Sequence, residues 1–387
     1  KPFIHIEAGD TFDELKKDAR NGYFEKLIKE YLLDNNHKSI ISLVPEYGLE
    51  KEKEQKEADK LAEYKSTLTN DELEELVSKT KELKEYQDAP SSQEELEKIP
   101  MLELSDIKRE PAKDYNDVKS VDGIKIVHHN IFTNKIAYIN LSFDTKCVPD
   151  ELIPYMGLLG STLSLMDTKN YTYPELTNEI NINCGGLATG TALYSDKVDF
   201  SKNTIVYEVK SKALYEKVPF VLGMMEEIMY NTRFDDYKRL KEIIARIKSR
   251  LEASLMGQGH SIAMLECCAQ FSESAYYSDI LRGYKYYEFI KKLDEEFEQN
   301  KTQIVEKLNM LVGYIFNKDN VIISLTADDE GYDCFTKALS AKSCNIKDEH
   351  FNTAVRSFTP VNVKTGYTSA SQVQYVARCG NFVKDGY

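Results

Sequence analysis

Near the start of the chain, Phe12, Leu15, Ala19, Tyr23, Leu27 and Tyr31 fall on one face at helical spacing, and a β-rich run from Ser39 to Val44 follows, stopped by Pro45. This pattern predicts a helix feeding a strand. From Glu50 to Asp88 there are 13 acidic residues and 8 lysines, while Leu73, Leu76, Val77, Thr80 and Leu83 form a narrow apolar stripe behind a Thr69-Asn70-Asp71-Glu72 capping box. Two charged amphipathic helices arranged as a hairpin are expected, and a solvated spacer and a specific binding surface both fit them. Ser92-Gln93-Glu94-Glu95 starts a short helix that Pro100 ends, and Arg109 to Asp114 reads as a linker, which puts a domain boundary near residue 113.

Beyond that boundary, Asp122-Gly123 precedes the apolar-alternating run Ile124 to His129, and Ile136 to Phe143 alternates in the same way, so the two runs read as an antiparallel pair. A buried helix is expected from about Glu151 to Met166. Thr172-Tyr173-Pro174-Glu175 opens another, closed by Gly185-Gly186, a helix stop rather than a phosphate loop. Strands at 187–194 and 204–210 follow. Leu214, Val218, Val221, Met225 and Ile228 share a helical face, as do Leu240, Ile243, Ile244, Ile247, Leu251 and Leu255. Further helical patterns cover about 260–276, 284–292, 294–316 and 330–341, with an apolar strand from Val321 to Leu325. From about 343 the chain is irregular, and Gln372 to Ala377 reads as the first strand of another domain. Strands in adjacent pairs and helices in runs predict an α+β domain whose mainly antiparallel sheet is covered by helices; a doubly wound nucleotide fold is disfavoured.

Composition narrows the function classes. The 387 residues suffice for two or three domains, and a net charge of −14 disfavours a nucleic-acid partner. The most apolar stretch, Leu152 to Met166, is interrupted by Pro154, Gly157 and Gly160 and is shorter than the roughly 18 residues of a membrane span. A soluble protein without a membrane partner is expected. Seven cysteines with no Cys-x-x-Cys pair fit a reducing compartment, the cytoplasm or an organelle lumen if the source is eukaryotic. A start at Lys1 and an end at Asn381 to Tyr387 both read as cuts through elements, so an internal fragment is expected.

A hydrolytic zinc site needs three protein ligands and an open position, with helical His three or four apart, and none of the six His meets that spacing. His128 and His129 are adjacent on a strand, so they point to opposite faces and read as structural. His260, in Gly257-Gln258-Gly259-His260-Ser261, stands at a helix start, either as a cap or as a group poised for chemistry, with no partner base identifiable. Cys267-Cys268 reads as a pair of buried small hydrophobes, with redox sensing as the alternative. The chain has 25 Tyr and no Trp; Tyr276, Tyr277, Tyr284, Tyr286 and Tyr287 flank Arg282-Gly283 and suit either a peptide-binding wall or core packing.

Four segments carry a family resemblance: Tyr23 to Lys38, the charged hairpin, Ile99-Pro100 with Leu104-Ser105-Asp106-Ile107, and Gly123 to Asn134. The sequence resembles the pitrilysin (insulinase) family of metallopeptidases, within the single-chain group that contains the presequence protease and falcilysin. The resemblance implies LuxS/metallohydrolase-like domains, four in all, forming a clamshell whose halves are joined by a helical hairpin. Residues 1–48 would end the second domain, 49–112 form the hairpin linker, 113–345 form the third domain and 346–387 begin the fourth. It also implies that zinc is a cofactor of the parent protein, bound by an inverted H-x-x-E-H motif in a first domain outside this chain, with none bound here.

The third domain looks like a diverged copy of the first. In that copy Leu158 and Thr162 stand where the zinc ligands would be and Ser161 where the base would be, and such a set neither holds zinc nor acts as a carboxylate base. No catalytic and no metal-ligating residue is carried over. His260, Tyr276, Tyr277 and Tyr284 are candidates to line the chamber. The implied partners are unfolded peptide substrates and the zinc-carrying N-terminal half of the same protein. The implied function is the hinge and chamber wall of a zinc endopeptidase, inactive on its own. The alternative is a section of a catalytically inactive binding or assembly subunit.

Overall fold

The computed structural model of the chain describes residues 8–44, 46–110, 115–196, 198–199, 202–341, 346–368 and 373–380. Its contacts divide into two units, Lys1–Arg109 and Glu110–Tyr387; the boundary expected near residue 113 lies outside the described residues.

The first unit is helical: α1 (Gly9–Arg20), α2 (Tyr23–Leu27) running into a π-helical turn (Ile28–Leu33), α3 (Leu49–Thr67), α4 (Asn70–Asp88) and the single-turn α5 (Gln93–Leu96). Both N-terminal signals form as capping boxes: Glu72 N–H donates to Thr69 Oγ1 at 3.3 Å, and Glu95 N–H donates to Ser92 Oγ at 3.3 Å. No residue of α3 or α4 is buried, so the stripe through Leu76, Val77 and Leu83 is exposed. Ser39–Val44 forms no strand, and Ile40 and Leu43 are almost fully exposed. A strand needs a partner for its N–H and C=O groups, and no described residue of this unit supplies one.

The second unit holds, in chain order, β1 (Asp117–Val121), β2 (Ile124–Asn130), β3 (Ile136–Asp144), α6 (Ile153–Thr162), α7 (Tyr173–Asn183), β4 (Leu187–Ser195), β5 (Asn203–Leu214), α8 (Val218–Tyr230), α9 (Tyr237–Gly257), α10 (Gly259–Ala269), α11 (Glu273–Arg282), α12 (Tyr284–Glu295), α13 (Phe297–Ile315), β6 (Val321–Ala327) and α14 (Asp329–Ser340). The fold is α+β. Its six-stranded sheet, ordered β1-β2-β6-β3-β5-β4, is mixed: β2 and β6 are parallel and the other neighbours antiparallel.

The two strands read as a pair are therefore not neighbours. β6 enters between them, with Lys125 of β2 opposite Ile322 and Tyr138 of β3 opposite Thr326. Alternation fixes which face a residue takes but not which strand lies beside it. The antiparallel partner of β2 is β1, joined through Asp122 at φ 51° and Gly123 at φ 81°, the pair of left-handed residues a two-residue hairpin turn requires. The expected helix over 260–276 is two helices, because Ser272 leaves the helical region and its Oγ caps α11 by accepting from Ala275 N–H at 3.4 Å.

Ala137, Ile139, Leu141 and Phe143 of β3 turn into the core with Ile323 and Leu325 of β6 and Tyr207 and Val209 of β5, against buried faces of α6, α8, α9 and α13. Residues 346–368 and 373–380 have no regular strand or helix, and the run expected as a strand from Gln372 is irregular over 373–377, with Gln372 itself outside the described residues. This strap is pinned at intervals: Lys318 N–H donates to Lys347 O at 2.8 Å, Ala354 N–H to Lys146 O at 2.9 Å and Val361 N–H to Gln270 O at 2.8 Å. Arg356 Nη2 donates to the Thr145 carbonyl and, at 3.2 Å, to Thr145 Oγ1. Among the described residues no helix is long and apolar enough to cross a membrane.

Candidate functional site

Pro154 sits in the first turn of α6, where its missing N–H costs nothing, and the helix buries Ile153, Tyr155, Met156, Leu158, Leu159 and Thr162. Leu158 and Thr162 are fully buried. The Ser and Thr hydroxyls at the end of this helix are spent on its own backbone: Thr162 Oγ1 donates to Leu159 O at 3.0 Å, and Ser161 Oγ to Gly157 O at 3.4 Å. Gly160 lets α6 press on β4; a Cβ there would stand 3.2 Å from Gly190 Cα, and Thr189 Oγ1 donates to Gly160 O at 2.9 Å. At Leu158, Ser161 and Thr162 there is thus one aliphatic side chain and two hydroxyls bonded to carbonyls. Zinc takes imidazole, thiolate or carboxylate donors, so these residues do not fit it.

The loop after α6 is held by a carboxylate that sequence reading overlooked. Glu227 on α8, buried at 6% exposure, accepts from Asn170 N–H at 3.0 Å, Asn170 Nδ2 at 2.8 Å and Asn231 Nδ2 at 2.7 Å. Burial pushes its pKa up, but hydrogen bonds from Thr168, Asn231 and Asn170 outweigh it and hold the carboxyl below the ordinary value. On the open face of the sheet Glu208 is held similarly, accepting from Asn140 Nδ2 at 2.9 Å and Tyr194 OH at 3.0 Å and pairing with Lys210 Nζ at 2.6 Å. Burial acts upward on Glu208 too, and Lys210, Asn140 and Tyr194 bring it down.

The candidate wall residues lie along α10–α12, under the strap. His260 is exposed at the start of α10 without capping it, its ring 5.8 Å from that of Tyr375. Tyr276 packs on Phe358 at 5.4 Å between centroids and edge-on against Tyr277 at 5.3 Å. Tyr277 is buried, with its hydroxyl 3.4 Å from Asp150 Oδ1; burial first, then the Asp150 charge, raises its pKa. Tyr284 lies 4.2 Å from Tyr367. The three tyrosines and His260 therefore share one side of the unit, each beside a strap residue, Tyr277 through Arg356, whose guanidinium is 5.9 Å from the Tyr277 ring.

Beneath this layer Asp279, almost fully buried, pairs with Lys285 Nζ at 3.0 Å. Burial, and then the Asp279 charge, raises Glu266 beside it. His128 and His129 diverge as strand geometry requires: His128 Nε2 bonds Ala327 O at 2.9 Å inside the core, while His129 meets Tyr115 O at 2.7 Å and Ser324 Oγ at 3.1 Å. Among the described residues one set brings three metal-type donors within 4.8 Å of one another, Asp319, Asp348 and His350, all exposed. Cys267 and Cys268 are half-buried rather than core residues, and face Cys379.

A family model described as peptidase M-16C associated matches residues 43–293, which include α3, α4 and the sheet through β5. The chain belongs to this peptidase-associated family. Protein HypA of Clostridium perfringens is 34% identical over 386 residues, covering 100% of this chain and 40% of its own length. Presequence protease 1, chloroplastic/mitochondrial, of Arabidopsis thaliana is 26% identical over 394 residues, covering 100% and 36%. The mitochondrial presequence protease of Drosophila melanogaster is 26% identical over 319 residues, covering 82% and 30%. The pitrilysin-family, presequence protease-like character read from Tyr23–Lys38 and Gly123–Asn134 is thus borne out. The chain spans 30% to 40% of the length of these relatives.

Proposed function

We propose that this chain is the section of a presequence protease/falcilysin-like zinc endopeptidase that supplies the hinge and the chamber wall facing the catalytic half. In this reading 49–112 is the hinge linker and 113–345 a third, catalytically degenerate domain; 1–48 and 346–387 belong to its neighbours. The parent degrades unfolded peptides in a closed chamber, with zinc bound outside this chain. The observation that carries the proposal is α6: at the place of a zinc motif it offers Leu158, Ser161 and Thr162, two of them fully buried and both hydroxyls tied to carbonyls.

What this chain's residues do is positional. Family membership supports an enclosing role, since closure of such halves excludes water and completes a site. Glu208, Tyr194 and Lys210 give the sheet a polar open face suited to a water-filled chamber. The test compares three proteins on one unstructured peptide of about 20 residues: the full-length parent, the parent truncated at Lys1, and this chain alone. Cleavage by the full-length protein only is the expected outcome. Cleavage by this chain alone that a chelator abolishes would overturn the proposal. Failure of the full-length parent to cleave any peptide would move the assignment to a binding or assembly subunit.

A further inference from the structure

Sequence spacing leaves the cysteines unpaired, but the fold brings two from distant positions together. Cys268 Sγ, on α10, lies 3.3 Å from Cys379 Sγ, on the strap 111 residues later. Cys379 Sγ also approaches Met264 O at 4.0 Å, and Cys267 Sγ approaches Ala377 O at 3.8 Å, so the strap runs along this face of α10. A disulfide has its sulfurs about 2.05 Å apart, so the pair has only about 1.3 Å to close. The irregular backbone at 373–380 can supply that through side-chain rotation and a small shift. Cys267, the preceding residue on α10, also neighbours Cys379, whose contact raises the Cys267 thiol after burial does, but the 3.3 Å approach of the Cys268 sulfur favours that pair.

We propose that Cys268 and Cys379 form a reversible disulfide that staples the strap to α10, with a low-molecular-weight disulfide as oxidant. The Cys268 thiolate attacks the small disulfide, forming a mixed disulfide and releasing one small thiolate. The Cys379 thiolate then attacks the Cys268 sulfur and displaces the second. The two protein thiols lose two protons and two electrons, and the oxidant leaves as two thiols. Burial raises the Cys379 thiol, so closure is slow at neutral pH and speeds up as pH rises. The closed staple fixes the segment that carries Tyr375 against His260, holding the cover over the α10–α12 face in place.

The test exposes the full chain to glutathione disulfide, quenches with an alkylating maleimide and maps peptides with and without reductant. The expected product is a monomer whose thiol count has fallen by two from seven, with a reducible peptide joining Cys268 to Cys379. Cys267→Ser should close as wild type does, and Cys268→Ser should not close. A Cys267–Cys379 link, a disulfide between chains, or a stable glutathione adduct without closure would each overturn the proposal. Mapping of the wild-type chain alone decides the matter if a variant fails to fold.

Discussion

Glu227 offers the sharpest test of how α8 and the loop behind α6 are held together. Replacing it with Ala removes the acceptor for three donors, Asn170 N–H, Asn170 Nδ2 and Asn231 Nδ2, at 3.0, 2.8 and 2.7 Å. Asn170 is exposed and Asn231 half-buried, so water partly rescues the donors, and each one left unpaired costs about 1 to 1.5 kcal/mol, about 3 to 4.5 kcal/mol in all at the upper end. Glu227→Gln keeps one carbonyl acceptor but turns an amide nitrogen toward other donors, for about 2 to 3 kcal/mol.

The sign of the pH dependence follows from the depressed carboxyl. Because the folded pKa lies below the ordinary 4.5, the ionised form's contribution is fully present above that value and is lost as pH falls through the folded pKa. The gap between wild type and Glu227→Gln should therefore be full near neutral pH and shrink in acid. Urea unfolding followed by tyrosine emission reads it directly, the chain having 25 Tyr and no Trp. A cost below about 1 kcal/mol for Glu227→Ala, or a gap to Glu227→Gln that stays constant from about pH 7 to about pH 3.5, would refute the reasoning.

Two other substitutions probe the packing. Gly331→Ala places a Cβ 2.5 Å from Tyr215 Cζ and 2.6 Å from Ala327 Cβ, and the Tyr215 ring cannot yield while its hydroxyl is held by Asp328 at 2.8 Å and Thr133 at 3.1 Å. The expected loss is about 1 to 3 kcal/mol in urea unfolding, and a neutral or stabilising result would show that the ring moves freely. Arg356→Ala removes the anchor to Thr145, so trypsin should cut the exposed Lys364 several-fold faster while the urea midpoint of the domain barely moves; unchanged cleavage would mean that the strap is held elsewhere.

What the sequence made legible was local. The capping boxes at Thr69/Glu72, Ser92/Glu95 and Thr172/Glu175 form where they were read, because each is complete within four residues. β4, β5 and β6 appear near their expected bounds for the same reason: strand alternation is a nearest-neighbour signal. Sheet order was not legible, since β6 must travel from far along the chain to separate β2 from β3. β1 escaped notice because Asp117-Val118-Lys119-Ser120-Val121 is short and mostly exposed, although the Asp122-Gly123 turn was the clue to it.

The same limit applies to the site. α6 could be read as chemically empty from Leu158, Ser161 and Thr162 alone, because donor identity needs no coordinates. The grip of Glu227 on Asn170, 57 residues apart, and the approach of Cys379 to Cys268, 111 apart, depend on packing that no local pattern encodes. Tyr276, Tyr277 and Tyr284 were visible as a cluster, while the strap lying over them was not.

Metal stoichiometry tests the proposal that α6 stands at a zinc-motif position and holds no zinc. The chain would be saturated with zinc, dialysed extensively and measured by plasma mass spectrometry, alongside His350→Ala to remove the exposed Asp319/Asp348/His350 set. The expected result is no zinc retained above the dialysis buffer in the variant. One tightly bound zinc per chain that persists in His350→Ala would contradict the account.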